Sequence, residues 1–324
     1  MGIPQHPLMG GMNTIMKRYA GNPILTPQDF SGAEAVFNCG QVTYNGKTIL
    51  LVAIIMGNDP MPRIHVAESD DGLRFRIRPE PFISSSKDPR LDGLDLWTID
   101  PRVTYFPEEE TYYIMRPGQC YSGVVALLGK TKDFQTYEDI EVISLPSNRV
   151  PCLFPRKING QYVRLDRPYA LTYDVEPCNP MGHIWLSSSP DLIHWGRHRL
   201  VQRPWIHWNG FKIGPTPPIE TPDGWLEIIH GVSGSGNARR YSIGAMLLDL
   251  DDPTKVIGCA NSPIFIPDTT YECQGRVPNV VFPCGAIADI AEDNLRIYYG
   301  AADTCIGLAT GKISEIINLC KTSG

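Results

Sequence analysis

The chain has 324 residues, a formal net charge of −6, 20% charged and 42% hydrophobic residues. This suits a globular protein with a substantial core, and the acidic balance excludes binding that depends on neutralising a nucleic-acid backbone with Lys and Arg. No apolar run approaches the ~20 residues of a bilayer span, and the stretch from Met1 to Arg18 has no compact apolar run after a basic start, so a cytoplasmic protein with no membrane and no nucleic-acid partner is expected.

The 30 glycines and 29 prolines are scattered, which suits many short strands joined by turns. A phrase recurs along the chain: a short strand ending in small or polar residues, an Asp-containing turn, an aromatic, and another strand. Its copies are residues 64–75, 127–137, 184–195, a looser one at 245–253 and a truncated one at 306–313. They lie roughly fifty to sixty residues apart, the range of propeller blades. Each unit also holds a run rich in β-formers, at 48–53, 111–114, 162–165, 225–229 and 295–299. Four of these runs follow Asn45-Gly46, Asn159-Gly160, Asp223-Gly224 and Asp293-Asn294, and the fifth follows Pro107-Glu108-Glu109-Glu110. The expectation is an all-β fold, one five-bladed β-propeller spanning 1–324 with an axial active-site pocket and an N-terminal extension of about 1–18. A short helix or a closing strand is expected between Ser314 and Leu319.

Nine cysteines, none in a Cys-x-x-Cys pair, sit in apolar strand-like runs and are expected to be reduced and buried. The close histidines His194 and His198 flank Trp195 in a turn-like stretch and are not expected to hold a metal.

Within the second unit, Asp100 precedes Pro101, which pushes it into an extended or turn conformation where a loop enters the strand starting near Val103. Taken alone, an Asp-Pro pair starts a turn. Asp100, however, occupies the class of position that lines a propeller's axis. Asn38, Arg149, Arg167, Lys212, His230 and Asp303 lie near the ends of other strand-like runs. Arg149, Arg167 and Lys212 could build a cationic pocket beside Asp100, with fork-like bonds from Arg and a point charge from Lys; singly, each reads as a surface cation.

Several phrases together resemble glycoside hydrolase family 130. They are Asp100-Pro101-Arg102; Asn148-Arg149 with Leu153-Phe154-Pro155-Arg156-Lys157; Trp195-Gly196-Arg197; Lys212-Ile213-Gly214; His230-Gly231-Val232; Val277-Pro278-Asn279; and Tyr298-Tyr299-Gly300-Ala301-Ala302-Asp303. The match runs from about Arg18 to about Leu319. The resemblance implies a five-bladed propeller acting on β-mannosides, most simply an inverting phosphorylase that uses inorganic phosphate as co-substrate, needs no metal or organic cofactor, and releases α-D-mannose 1-phosphate. It implies Asp100 as general acid, its proton reaching the glycosidic oxygen through the 3-hydroxyl of the bound mannosyl unit. It implies Arg149, Arg167 and Lys212, with His230 and Tyr241, at phosphate, Asn38, Arg102 and Asp303 at the sugar, and a homo-oligomer. The alternatives are a β-mannoside hydrolase of the same fold and a carbohydrate-binding propeller without catalysis. An inverting hydrolase needs a second carboxylate to activate water; a phosphorylase needs cations to hold its nucleophile. The chain departs from the family pattern between Val52 and Asp59, where an arginine is missing, at Cys39, at Ile99 beside the acid, and from Leu171 to Met181. These departures fall on the sugar and acceptor side.

Overall fold

A computed structural model describes residues 14–170, 181–234 and 236–323. The expected acceptor-site segment thus falls, over residues 171–180, outside the described residues. The fold is an all-β, five-bladed propeller. Blade 1 comprises Ala33–Tyr44, Lys47–Met56, Asp59–Ser69 and Arg76–Ile77, and blade 2 comprises Arg102–Phe106, Thr111–Cys120, Gly123–Thr131 and Glu138–Val142. Blade 3 is Asn148–Leu153, Tyr162–Ala170, Ile184–Ser189 and Gly196–Gln202; blade 4 is Lys212–Pro215, Gly224–Ser233, Arg240–Leu248 and Val256–Cys259. Met181–Gly182 joins these two blades, antiparallel to one and parallel to the other. Blade 5 is Val281–Pro283, Asn294–Ala301, Cys305–Gly311 and Lys17–Arg18.

The middle strands read as continuous apolar runs because both of their faces are buried. Successive side chains point to opposite faces, so Ile49 and Leu51 pack with Val103 and Ile114 of blade 2, while Leu50 and Val52 pack with Tyr298 and Ile306 of blade 5. The same alternation sends Leu226 and Ile228 against Leu295 and Ile297, and Trp225 and Ile229 against Val163 and Leu165. The recurring turn is built by one carboxylate. Asp71 accepts from the backbone N–H of Leu73 and Arg74, Asp133 from Gln135 and Thr136, Asp191 from Ile193 and His194, and Asp249 from Asp251 and Asp252. These are Asx turns. In the first three, the aromatic that follows (Phe75, Tyr137, Trp195) packs against the apolar core between neighbouring blades.

One expectation changes and one is decided between its two alternatives. Met16 is buried in the core and Lys17–Arg18 pair with Ala309 and Thr310, so the chain immediately before residue 19 completes blade 5 rather than extending from the fold. Arg18 locks the closure by donating to both carboxylate oxygens of buried Glu272, at 2.9 and 2.7 Å. The C-terminal segment is a helix, Ile313–Thr322, not a closing strand; its buried Ile313, Ile316, Ile317 and Cys320 follow the 3.6-residue period and cover the seam of blades 4 and 5.

Candidate active site

The five innermost strands converge on an axial cavity of about 870 Å³. Several blades enter it through a non-glycine residue in the left-handed backbone region: Asn38 at φ 44°, Asp100 at 51°, Val150 at 53° and Asn279 at 61°. Such conformations cost energy and persist where the surroundings hold them. At Asp100 the hold is visible. The preceding loop is pinned by the buried pair Arg116–Asp95, at 2.5 and 2.6 Å, by Leu96 N–H donating to the Gln119 carbonyl at 2.9 Å, and by Thr98 Oγ1 donating to the Pro62 carbonyl at 2.5 Å.

Asp100, 8% exposed, accepts a 2.8 Å hydrogen bond from Asn38 Nδ2 on Oδ1. The Asn38 amide also faces Asp303, which lies in the tight turn after Asn294–Ala301. Burial, then the charge of Asp100, push the Asp303 carboxyl up to about 7. Gly300 makes this packing possible, because a Cβ there would lie 2.0 Å from Asn38 Oδ1.

The other side of the cavity carries cations. Arg149 and Arg167 are direct cross-strand partners, a juxtaposition of like charges that is unfavourable unless an anion lies between them. Lys212, on the first strand of blade 4, has its ammonium 5.1 Å from the Tyr241 ring centre and 5.9 Å from that of Tyr169. Burial, with Arg167, Arg239 and Arg149 nearby, pushes Lys212 down to about 6, and burial lowers Arg167 to about 10. His230 Nε2 lies 2.7 Å from Arg167 Nη1. Arg has only donors, so this nitrogen accepts and the imidazole is neutral, in line with the strong lowering of its pKa by burial and the flanking cations. Gly214 leaves room for the contact: a Cβ there would lie 2.3 Å from the His230 ring.

The cavity is therefore segregated by charge. Blades 1, 2 and 5 supply Asn38, Asp100 and Asp303, with one cation, Arg276, that is paired to Glu34; blades 3 and 4 supply Arg149, Arg167, Lys212, His230 and Tyr241. Arg102, expected at the sugar, is the exception. It does not line the cavity: its side chain is 1% exposed and turns inward beneath Asp100, where Nη1 donates to the Asp100 carbonyl at 2.6 Å among Cys152, Cys284 and Phe282. The reason is alternation along the strand, which sends residue 102 into the axial channel under the site. Arg102 fits a positioning role, not contact with substrate.

Sequence reasoning missed Arg239 and Arg276, both of which line the cavity. Arg239 ends a Gly- and Ser-rich stretch of blade 4 and stacks 5.3 Å from the Phe211 ring centre; a glycine-rich loop followed by paired arginines was the available signal for an anion site. Arg276 precedes the inner strand of blade 5 and pairs with Glu34 at 3.3 Å. Ile55, Ile99 and Phe37 form an apolar wall where the arginine of the family pattern is absent, and Trp97, 43% exposed, stands at the rim. Among the described residues no group of three or more His, Cys, Asp or Glu side chains is gathered to hold a metal, and no helix is long and apolar enough to cross a membrane. The eight described cysteines are free thiols.

Comparison with known proteins agrees with this architecture. A family model described as β-1,4-mannooligosaccharide phosphorylase matches residues 15–322. The β-1,4-mannooligosaccharide phosphorylase of Ruminococcus albus is 32% identical over 99% of this chain and 95% of its own length. A 1,2-β-oligomannan phosphorylase of a Thermoanaerobacter species is 33% identical over 93% of this chain and 98% of its own. The solved structure of the β-1,2-mannobiose phosphorylase of Listeria innocua, in complex with β-1,2-mannobiose, superposes with a TM-score of 0.81 at 31% identity, covering 95% of this chain and 99% of that one. Its five-bladed architecture and end-to-end match place the chain in glycoside hydrolase family 130, as an enzyme of the glycoside phosphorylase type.

Proposed function

We propose that the protein is an inverting β-mannoside phosphorylase. It cleaves a terminal β-mannosyl unit from a disaccharide or oligosaccharide with inorganic phosphate and yields α-D-mannose 1-phosphate. The observation that carries this reading is the charge segregation of the axial cavity. The general acid Asp100 stands on one side, and the side facing it presents Arg149, Arg167 and Lys212. An inverting hydrolase would carry a carboxylate there to activate water. Among the described residues the other carboxyl lining the cavity is Asp303, which faces the same Asn38 amide as Asp100, and this supports a role for it at sugar hydroxyls.

In this reading Asp100 protonates the leaving oxygen through the mannosyl 3-hydroxyl while phosphate attacks the anomeric carbon from the cationic side. The bond from the anomeric carbon to the leaving oxygen breaks as a bond from a phosphate oxygen to that carbon forms, with inversion. Phosphate arrives as a nucleophile already, so the cations need only hold and orient it. Its charge relieves the repulsion between Arg149 and Arg167 and restores a proton to Lys212, so phosphate binding and proton uptake are coupled. Neutral His230 fixes Arg167 through Nε2, while its Nδ1–H has no partner among the described residues.

The test is product analysis with β-1,4- and β-1,2-mannobiose, with and without phosphate. Phosphate-dependent mannose 1-phosphate is expected. Free mannose formed equally well without phosphate would refute the reading in favour of hydrolysis, and glycan binding without turnover would refute it in favour of a binding propeller. Reverse phosphorolysis from mannose 1-phosphate with a panel of acceptor sugars then identifies acceptor and linkage.

A further inference from the structure

The seam between blades 2 and 3 has an apolar core that includes Phe106, Met115, Leu128, Leu153 and Leu192. Beside that core opens a cleft of about 940 Å³, as large as the axial cavity. The cleft runs along the face of blade 3 that looks toward blade 2. Ser147, in the connector between the two blades, lines both spaces.

The lining has a definite chemistry. Trp185 and Trp195 provide broad apolar faces, Trp185 half-buried and Trp195 carrying the Arg164 guanidinium 4.2 Å over one side of its ring. Behind them lies a buried polar cluster. Asp166 is saturated: it accepts from Arg164 Nε at 2.9 Å, Ser187 Oγ at 2.7 Å and Asn148 Nδ2 at 2.9 Å. Three polar atoms of cleft-lining side chains have no hydrogen-bond partner among the described residues: Arg164 Nη1, Asn148 Oδ1 and His183 Nε2. Arg164 and Asn148 are 1% and 7% exposed. Unpaired buried groups of this kind are costly and call for a partner.

These features specify the ligand. The Arg164–Asp166 pair cancels its own charge, so the cleft offers no net attraction to an anion. One unpaired donor, one unpaired acceptor and an imidazole nitrogen suit hydroxyl groups, which both donate and accept. Aromatic faces beside such groups suit a ring with an apolar face and a polar rim. We propose that the cleft between blades 2 and 3 is a second carbohydrate site, which holds sugar units of an oligosaccharide beyond those in the axial cavity. This rests on the mannoside reading above for the identity of the sugar. It gives the enzyme a preference for chains over disaccharides, set by residues that take no part in bond cleavage.

The test compares phosphorolysis of mannobiose with that of mannotetraose and mannohexaose in the wild type, Trp185→Ala, Trp185→Phe and His198→Ala, the last an exposed residue of the cleft whose replacement leaves the core untouched. Loss of one aromatic face is expected to raise KM for the longer chains by about 2- to 10-fold. KM for mannobiose and for phosphate should stay unchanged, and Trp185→Phe should retain most of the chain-length preference. Normal mannobiose turnover with equal KM values for long chains in the wild type, Trp185→Ala and His198→Ala would overturn the cleft and leave the catalytic reading intact. Parallel loss on short and long chains in both alanine variants would also overturn it. If no mannoside is phosphorolysed at all, the functional reading fails instead. The cleft is then judged by calorimetric titration of mannohexaose, where equal affinity in wild type and His198→Ala refutes it.

Discussion

Replacing Lys212 by Met removes a cation but keeps the length of the side chain. The gross attraction between one ammonium charge and one phosphate charge in contact at about 4 Å is about 4 kcal/mol at an effective dielectric near 20. That attraction is not all available at neutral pH. Burial and the neighbouring arginines hold Lys212 at about 6 in the empty cavity, so at pH 7 about 1.4 kcal/mol is consumed in protonating it. The remainder, about 2.6 kcal/mol, corresponds to a rise of about 10²-fold in KM for phosphate in Lys212→Met. The sign of the pH dependence follows. The wild type must take up a proton to bind phosphate above about pH 6, so its advantage over the variant shrinks by about tenfold per pH unit, to about tenfold at pH 8. Taking the ratio of the two proteins cancels the ionisation of phosphate itself. The assay is initial-rate release of mannose 1-phosphate from mannobiose at varied phosphate between pH 6 and 8.5. A ratio independent of pH, or a KM for mannobiose that rises as much as that for phosphate, would refute the argument.

Asp100→Asn should lower kcat by ~10²–10⁴-fold with little change in KM for phosphate, and a mannoside with an acidic phenol as leaving group should recover much of the loss, because it needs no proton; near-normal turnover of mannobiose would remove Asp100 from the acid role. Asp303 is protonated below about pH 7 and ionised above it, because burial and Asp100 raise its carboxyl. Wild-type kcat/KM for the mannoside should therefore change through that pH, and Asp303→Asn, which cannot ionise, should flatten that limb; a limb that persists unmoved would exclude Asp303 as its origin. Arg116→Leu strands the Asp95 carboxylate in the interior and should cost about 3–5 kcal/mol in denaturant unfolding, much of it regained in the double variant with Asp95→Leu. A single-variant loss below about 1 kcal/mol would show that the pair does not anchor the loop that carries Asp100.

The propeller was legible in the sequence because its signals are local. An Asp turn followed by an aromatic needs about a dozen residues to declare itself, and a strand buried on both faces writes an unbroken apolar run, as from Thr48 to Ala53. The closing strand was not legible. Lys17–Arg18 is two residues long, has no pattern, and draws its meaning from partners at the other end of the chain. The site divides the same way. Asp100, Lys212 and Asp303 stand in recognisable phrases. Arg276 does not, because only the curvature of the ring brings it to the axis, and Arg239 left only the weak signal of a glycine-rich loop before paired arginines. Arg102 differs for a subtler reason: the family resemblance implied contact with the sugar, while strand alternation turns the side chain away from the cavity. The cleft behind Ser147 left no trace in the linear pattern, since Arg164, Asp166 and Trp185 read there as ordinary polar and aromatic strand residues.

The strand Lys17–Arg18 has a consequence for how the molecule comes into being. Blade 5 is assembled from segments far apart in sequence, and Arg18 reaches Glu272 while Asn22 donates to the Leu308 carbonyl. A chain leaving the ribosome from its N-terminus can collapse into an arc of four blades, but that arc has two unpaired rims and an early strand waiting for the last. Asn38 and Asp100 emerge early, whereas Asp303 and the strand that seats Lys17–Arg18 emerge at the end. The cavity draws residues from every blade, so its full lining exists only when the ring is closed by the pairing of Lys17–Arg18 with Ala309 and Thr310.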